Sequence, residues 1–245
     1  MKKLMIAAAA AVCGSVFALE SANVVGYMDV ESPQGNSMRT ATFQTVAGEG
    51  YDLTKVAVVG GEGMGDVVAQ TISSAGLWDG EYYYLTEDGA GVATGWYKDG
   101  VGDVPVEEGE VILAPGAAFM LYSDYNDLQL NVSGEVKKGA YTINFAQGNG
   151  ITGNGLPVDV DLTAITIEGA EGMGDVVAQT ISAAGDWDGE YYYLTEDGAG
   201  VDTGWYKDGV GEVPVEEGEV VFAPGAAFML YSDYNDLTLT LPAVL

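Results

Sequence analysis

The chain carries nearly the same sequence twice. Residues 62–130 align without a gap on residues 171–239, an offset of 109 residues, and seven positions differ. These are Ser74/Ala183, Leu77/Asp186, Ala93/Asp202, Asp103/Glu212, Ile112/Val221, Leu113/Phe222 and Gln129/Thr238. A unit of that length is too long for one turn of a solenoid, whose repeats run roughly 20 to 50 residues. It is long enough to close a core of its own. Two tandem, near-identical domains are expected, at residues 19–133 and 134–245. No linker rich in Pro or Ser separates them, so they should be closely coupled.

Within one unit, short apolar or alternating runs are punctuated by Gly, Asp-Gly and Asn-Asp clusters, the pattern of an all-β fold. Strands are expected at 22–31, 39–46, 55–59, 81–86, 95–98, 110–113, 117–123 and 128–136. In Glu81 to Leu85 a period of two puts Tyr82 and Tyr84 on one face, Tyr83 and Leu85 on the other. Large residues on both faces predict a central strand. Asp79-Gly80 is placed as a tight hairpin turn, because Gly supplies the positive φ such turns need. Glu87-Asp88-Gly89 and Lys98-Asp99-Gly100 read as further turns. The one helical stretch is 65–74, where Val67, Val68 and Ile72 fall near one helical face. The fold expected is therefore a pair of β-sandwich or barrel-like domains, each with at most one short helix.

The first 18 residues read as a secretory signal, with Lys2 and Lys3 before the apolar run 4–12 and the small-x-small site Val16-Phe17-Ala18. That run is far shorter than the roughly 20 residues needed to span a bilayer. The expected product is exported, to the periplasm, cell surface or medium, with no membrane insertion. Cys13 is the only cysteine, so the mature chain has no disulfide to staple its fold. Eight basic residues face 37 acidic ones, a formal net charge of −29. A field of that sign repels nucleic acid and anionic lipid.

Three short motifs carry a resemblance. The opening Ser21-Ala22-Asn23-Val24-Val25-Gly26-Tyr27, the block from Ala114-Pro115-Gly116 through Phe119-Met120-Leu121-Tyr122, and Ser133-Gly134-Glu135-Val136 resemble motifs of uncharacterised secreted β-repeat proteins of verrucomicrobial-type bacteria. In that group an NVVGY start, a PGxxFxLY block and a GEV junction recur in this order. The resemblance implies export and a duplicated β-domain, and lends no activity.

The chemistry that composition leaves open is narrow. The chain has no histidine, and its mature part no cysteine, which removes the usual zinc, copper and haem ligands and the His-assisted nucleophiles. A paired-carboxylate glycosidase needs only Asp or Glu, and Glu107, Glu108, Glu110, Glu87 and Asp88 are available. Two small near-copies make an odd frame for a cleft enzyme, so no enzyme is expected. Calcium is the one cofactor the composition admits, with oxygen ligands from Asp124, Asn126 and Asp127 and from their copies Asp233, Asn235 and Asp236. The same residues suit plain Asx turns.

Aromatic residues crowd the hairpins: Trp78, Tyr82, Tyr84, Trp96 and Tyr97, with Trp187 and Trp205 among their copies. They fill a core or form a stacking platform for an extracellular glycan, and Trp78, Trp96, Trp187 and Trp205 are the platform candidates. Two functions are expected from this: a non-enzymatic structural protein, self-associating by β-strand addition between the ending strand 237–245 and another molecule's opening strand 22–31, or a carbohydrate- or polymer-binding module with two equivalent sites.

Overall fold

The computed structural model describes residues 25–40, 43, 50–72, 78–114, 116–136, 139–181 and 187–243. The expected export signal lies outside them. The first half of the chain holds β1 (Val25–Ser32), β2 (Gly35–Thr40), β3 (Tyr51–Asp52), β4 (Ala57–Val59), β5 (Met64–Ile72) and β6 (Trp78–Leu85). The one-turn helix α1 (Glu87–Ala90), β7 (Gly95–Lys98), β8 (Ile112–Leu113), β9 (Ala118–Ser123) and β10 (Leu128–Glu135) follow. The second half holds β11 (Tyr141–Phe145), β12 (Gly148–Gly153), β13 (Val160–Asp161), β14 (Thr166–Glu168), β15 (Met173–Ile181) and β16 (Trp187–Leu194). It ends with α2 (Glu196–Ala199), β17 (Gly204–Lys207), β18 (Val221–Phe222), β19 (Ala227–Ser232) and β20 (Leu237–Leu241).

The fold is all-β, and its strand order occurs twice. A five-stranded antiparallel sheet β2-β9-β5-β6-β7 faces a three-stranded sheet β1-β10-β4, and the second half repeats this as β12-β19-β15-β16-β17 and β11-β20-β14. Alternation decides which side is buried: Val67, Ala69, Tyr84, Trp96, Phe119 and Leu121 form one core with Leu128, Leu130 and Val136. Their counterparts close a separate core with Leu237, Leu239 and Leu241. Val136 belongs to the first core, and β10 runs to Glu135.

Three local expectations are overturned. The stretch expected as a helix is β5, whose Val67 and Ala69 alternate inward beyond a two-residue bulge at Gly65-Asp66. Gly65 has φ +90°, which a right-handed helix excludes. Asp79-Gly80 lies inside β6, where a register shift sets Trp78 against Ile72 and Gly80 against Thr71. Gly there marks a bulge, and the β5–β6 connection falls at 73–77, outside the described residues. Glu87-Asp88-Gly89 is the helical turn α1, capped by Thr86 Oγ1 accepting the Gly89 N–H at 3.0 Å and ended by Gly91 at φ +75°.

The ending strand is not free. β20 lies between β11 and β14, so both its edges are paired. The head-to-tail addition expected at 237–245 therefore loses its acceptor, because β11 occupies in the second half the place β1 holds in the first.

The halves meet through reciprocal contacts. Thr40 N–H donates to Gly225 O at 3.0 Å, while Thr152 Oγ1 donates to Gly116 O, the matching position, also at 3.0 Å. Ala118, Ile151 and Ala227 make a small buried cluster with Met38, Met120 and Met229 against it.

Candidate functional site

The outer face of the five-stranded sheet carries a row of aromatics that only the register reveals. Tyr122 of β9 stands opposite Val68 of β5, Val68 opposite Tyr83 of β6, and Tyr83 opposite Tyr97 of β7. With strands about 4.8 Å apart, Tyr122 and Tyr83 are separated by roughly 10 Å. Tyr231, Val177, Tyr192 and Tyr206 repeat the row in the second half.

At the β7 end the row opens into a hollow of about 310 Å³. Its apolar walls are Met64, Tyr83, Leu85 and Tyr97, with Lys98, Asp99 and Asp103 at the rim. Met64 is 67% exposed, unusual for so apolar a residue, and its copy Met173 is 70% exposed. Gly100 and Gly102 keep the far side bare: both have positive φ, and a Cβ on either would touch nothing within 4 Å.

Hydrogen bonds fix the central tyrosine. Tyr83 donates its hydroxyl to Glu81 Oε1 at 2.9 Å, and Gln70 Nε2 donates to Glu81 Oε2 at 2.9 Å. Tyr192, Glu190 and Gln179 repeat this at 2.8 and 2.7 Å. The bond to Glu81, then desolvation and nearby Asp99, push the Tyr83 phenol up to about 12. Glu190 and Asp208 do the same to Tyr192, also to about 12. Both phenols stay neutral over the physiological range. The wall beside Tyr83 is set by Asp66, a buried carboxylate that accepts the N–H groups of Glu62 at 2.9 Å and Met64 at 3.2 Å.

Trp96 and Trp205, two of the four platform candidates, lie elsewhere. Trp96 and Trp205 are each 3% exposed and belong to the two cores. Each spends its indole N–H on a backbone carbonyl, Val56 O at 2.9 Å and Ile165 O at 3.1 Å. Trp96 meets Tyr84 edge-on at 5.1 Å. Neither offers a face to a glycan, because in a strand as short as β7 the partner sheet, not the alternation, sets which ring turns inward. Trp78 and Trp187 open β6 and β16, and their side chains lie outside the described residues.

The Asp-rich turns named as calcium ligands use their oxygens in local hydrogen bonds. Asp124 Oδ1 accepts the Tyr122 hydroxyl at 2.5 Å, and Asp127 Oδ1 accepts the Gln34 N–H at 2.9 Å. Asp233 accepts the Tyr231 hydroxyl, and Asp236 Oδ1 the Gln147 N–H at 2.9 Å. The Asn126 carbonyl takes the Ser123 hydroxyl, and Asn235 donates to Gly169 O. These groups tie turns to neighbouring strands, and among the described residues no three His, Cys, Asp or Glu side chains converge to hold a metal. Of the carboxylates weighed for glycoside hydrolysis, Glu108 pairs with Lys55 at 2.6 Å and Glu110 with Lys98. Lys98, 2.5 Å from Glu110 Oε1, holds that carboxyl below the ordinary range, the opposite of what a general acid needs. Among the described residues, no helix is long and apolar enough to cross a membrane.

No protein-family model matches the chain, and no curated protein matches it. The site therefore stands on its own geometry.

Proposed function

We propose that this chain is a non-catalytic extracellular carbohydrate-binding protein with two equivalent sites for a neutral polysaccharide. The observation that carries this reading is the hollow beside Tyr83, set between an exposed methionine and a carboxylate rim, whose residues recur in sequence around Tyr192 with Glu212 in the place of Asp103. A sugar ring has an apolar C–H face and a polar hydroxyl edge. Tyrosine and methionine walls suit the first, and Asp99 and Asp103 suit the second. The net charge of −29 disfavours polyanions. Export, expected from the first 18 residues, would bring the chain to such polymers. The strand-addition step weighed for a structural subunit needs a free edge at β20, and that edge is taken.

Two linked sites gain avidity, commonly by roughly 10² to 10⁴. Electrophoresis through gels containing neutral polysaccharides tests the reading. The wild-type chain should be retarded by at least one of them, and Tyr83→Ala/Tyr192→Ala should run as in a blank gel. Retention of full retardation by the double variant, or no retardation in any gel, would overturn it.

A further inference from the structure

A second, larger hollow lies where the halves meet. It is a groove of about 720 Å³ between residues 28–31 of β1 and residues 219–227 of the second half, with Arg39 in its wall. β1 is an end strand: it pairs with β10 at every position, and among the described residues no strand occupies its other edge. Arg39 identifies which backbone groups face that edge. Its Nη2 donates to Glu31 O at 2.5 Å, so Glu31 turns its carbonyl away from β10. Backbone groups alternate sides along an antiparallel strand, and Asp29 therefore turns its N–H and C=O the same way. Across the groove Val221 of β18 is 48% exposed, and β18 pairs only with β13.

The groove is acidic although it holds the chain's one arginine. Arg39 is 6% exposed and gives Nη1 and Nη2 to the carbonyls of Met38 and Glu31, so its charge is tucked beneath β1. Asp29 and Glu31 stand exposed at the rim, and Glu219 is paired with Lys207. The opposite flank is tighter. There Ile143 and Thr152 take the places of Val30 and Arg39, and a Cβ on Gly116 would lie 2.6 Å from Ile143. The matching Cβ on Gly225 would stand 3.4 Å from Val30. The space opens on the first-half flank, where the two copies differ in sequence.

We propose that this groove binds an extended, lysine- or arginine-bearing peptide segment of a partner protein, added as a strand to the outer edge of β1. Beside the Glu31 carbonyl that Arg39 already holds, the Asp29 N–H and C=O supply main-chain hydrogen bonds, Val221 an apolar contact, and Asp29 and Glu31 the selection for basic side chains. This binding is independent of the sugar sites.

The test uses residues 19–245 and a fluorescent peptide of four Lys-Val repeats, followed by anisotropy. Binding is expected, with affinity falling tenfold or more when alternate peptide amides are N-methylated, which blocks strand pairing. The Asp29→Asn/Glu31→Gln variant should weaken binding at least fivefold, and a Glu-Val peptide should not bind. No binding of the Lys-Val peptide, or equal binding of its N-methylated form through mere adsorption of a polycation, would overturn the proposal.

Discussion

Asp175 holds the turn that leads into β15, and its replacement by alanine should be expensive. Its Oδ2 accepts the N–H of Glu171 at 3.0 Å, and its Oδ1 those of Gly172 at 2.8 Å and Met173 at 3.2 Å. Asp175 and Gly172 are buried, whereas Glu171 and Met173 are exposed. In Asp175→Ala the Gly172 N–H is stranded, at a cost of about 1 to 3 kcal/mol, and the two outer N–H groups rehydrate at about 0.5 kcal/mol each. The sum is about 2 to 4 kcal/mol. Urea denaturation followed by tryptophan fluorescence is the assay. The halves have separate cores, so the transition carrying Trp205 should move to lower urea. A loss below about 0.5 kcal/mol would refute the assignment of these bonds as the turn's main support. Asp175→Asn, which keeps one acceptor, should fall between.

Trp205→Phe removes the donor to Ile165 O and part of a fully packed ring, and should cost about 2 to 4 kcal/mol by urea denaturation followed by far-ultraviolet circular dichroism, with little effect on sugar binding. An unfolded-like tyrosine ionises near 10, while Tyr83 and Tyr192 are raised to about 12. Between those values the unfolded chain loses protons first, so the stability these tyrosines contribute is present below pH 10 and is lost as pH rises toward 12. A phenolate absorbance titration should show a late phase that shrinks in Tyr83→Phe/Tyr192→Phe; an unchanged late phase would assign it to other tyrosines, such as Tyr51, also raised to about 12.

What was legible in the sequence was local. β7 falls at the expected residues and β9 within one residue, because Gly and Asn-Asp clusters bound them cleanly and their side chains alternate. The faces of Tyr82, Tyr83, Tyr84 and Leu85 follow from the same period. Bulges defeated that reading in β5 and at Asp79-Gly80, since an inserted residue mimics a helical period in one place and a hairpin turn in the other. The site failed for a different reason. Tyr122 and Tyr83 lie 39 positions apart in the sequence and share a row only through the register of β5 with both β9 and β6. No local signal carries that register. The deep burial of Trp96 likewise depends on the Val56 carbonyl, supplied from another part of the unit.

The most direct test of the two-site account is calorimetric titration of residues 19–245 with an oligosaccharide cut from whichever neutral polysaccharide retards the chain. The account predicts two equivalent sites, one in Tyr83→Ala, one in Tyr192→Ala and none in the double variant. Full-strength binding that survives both substitutions would contradict it.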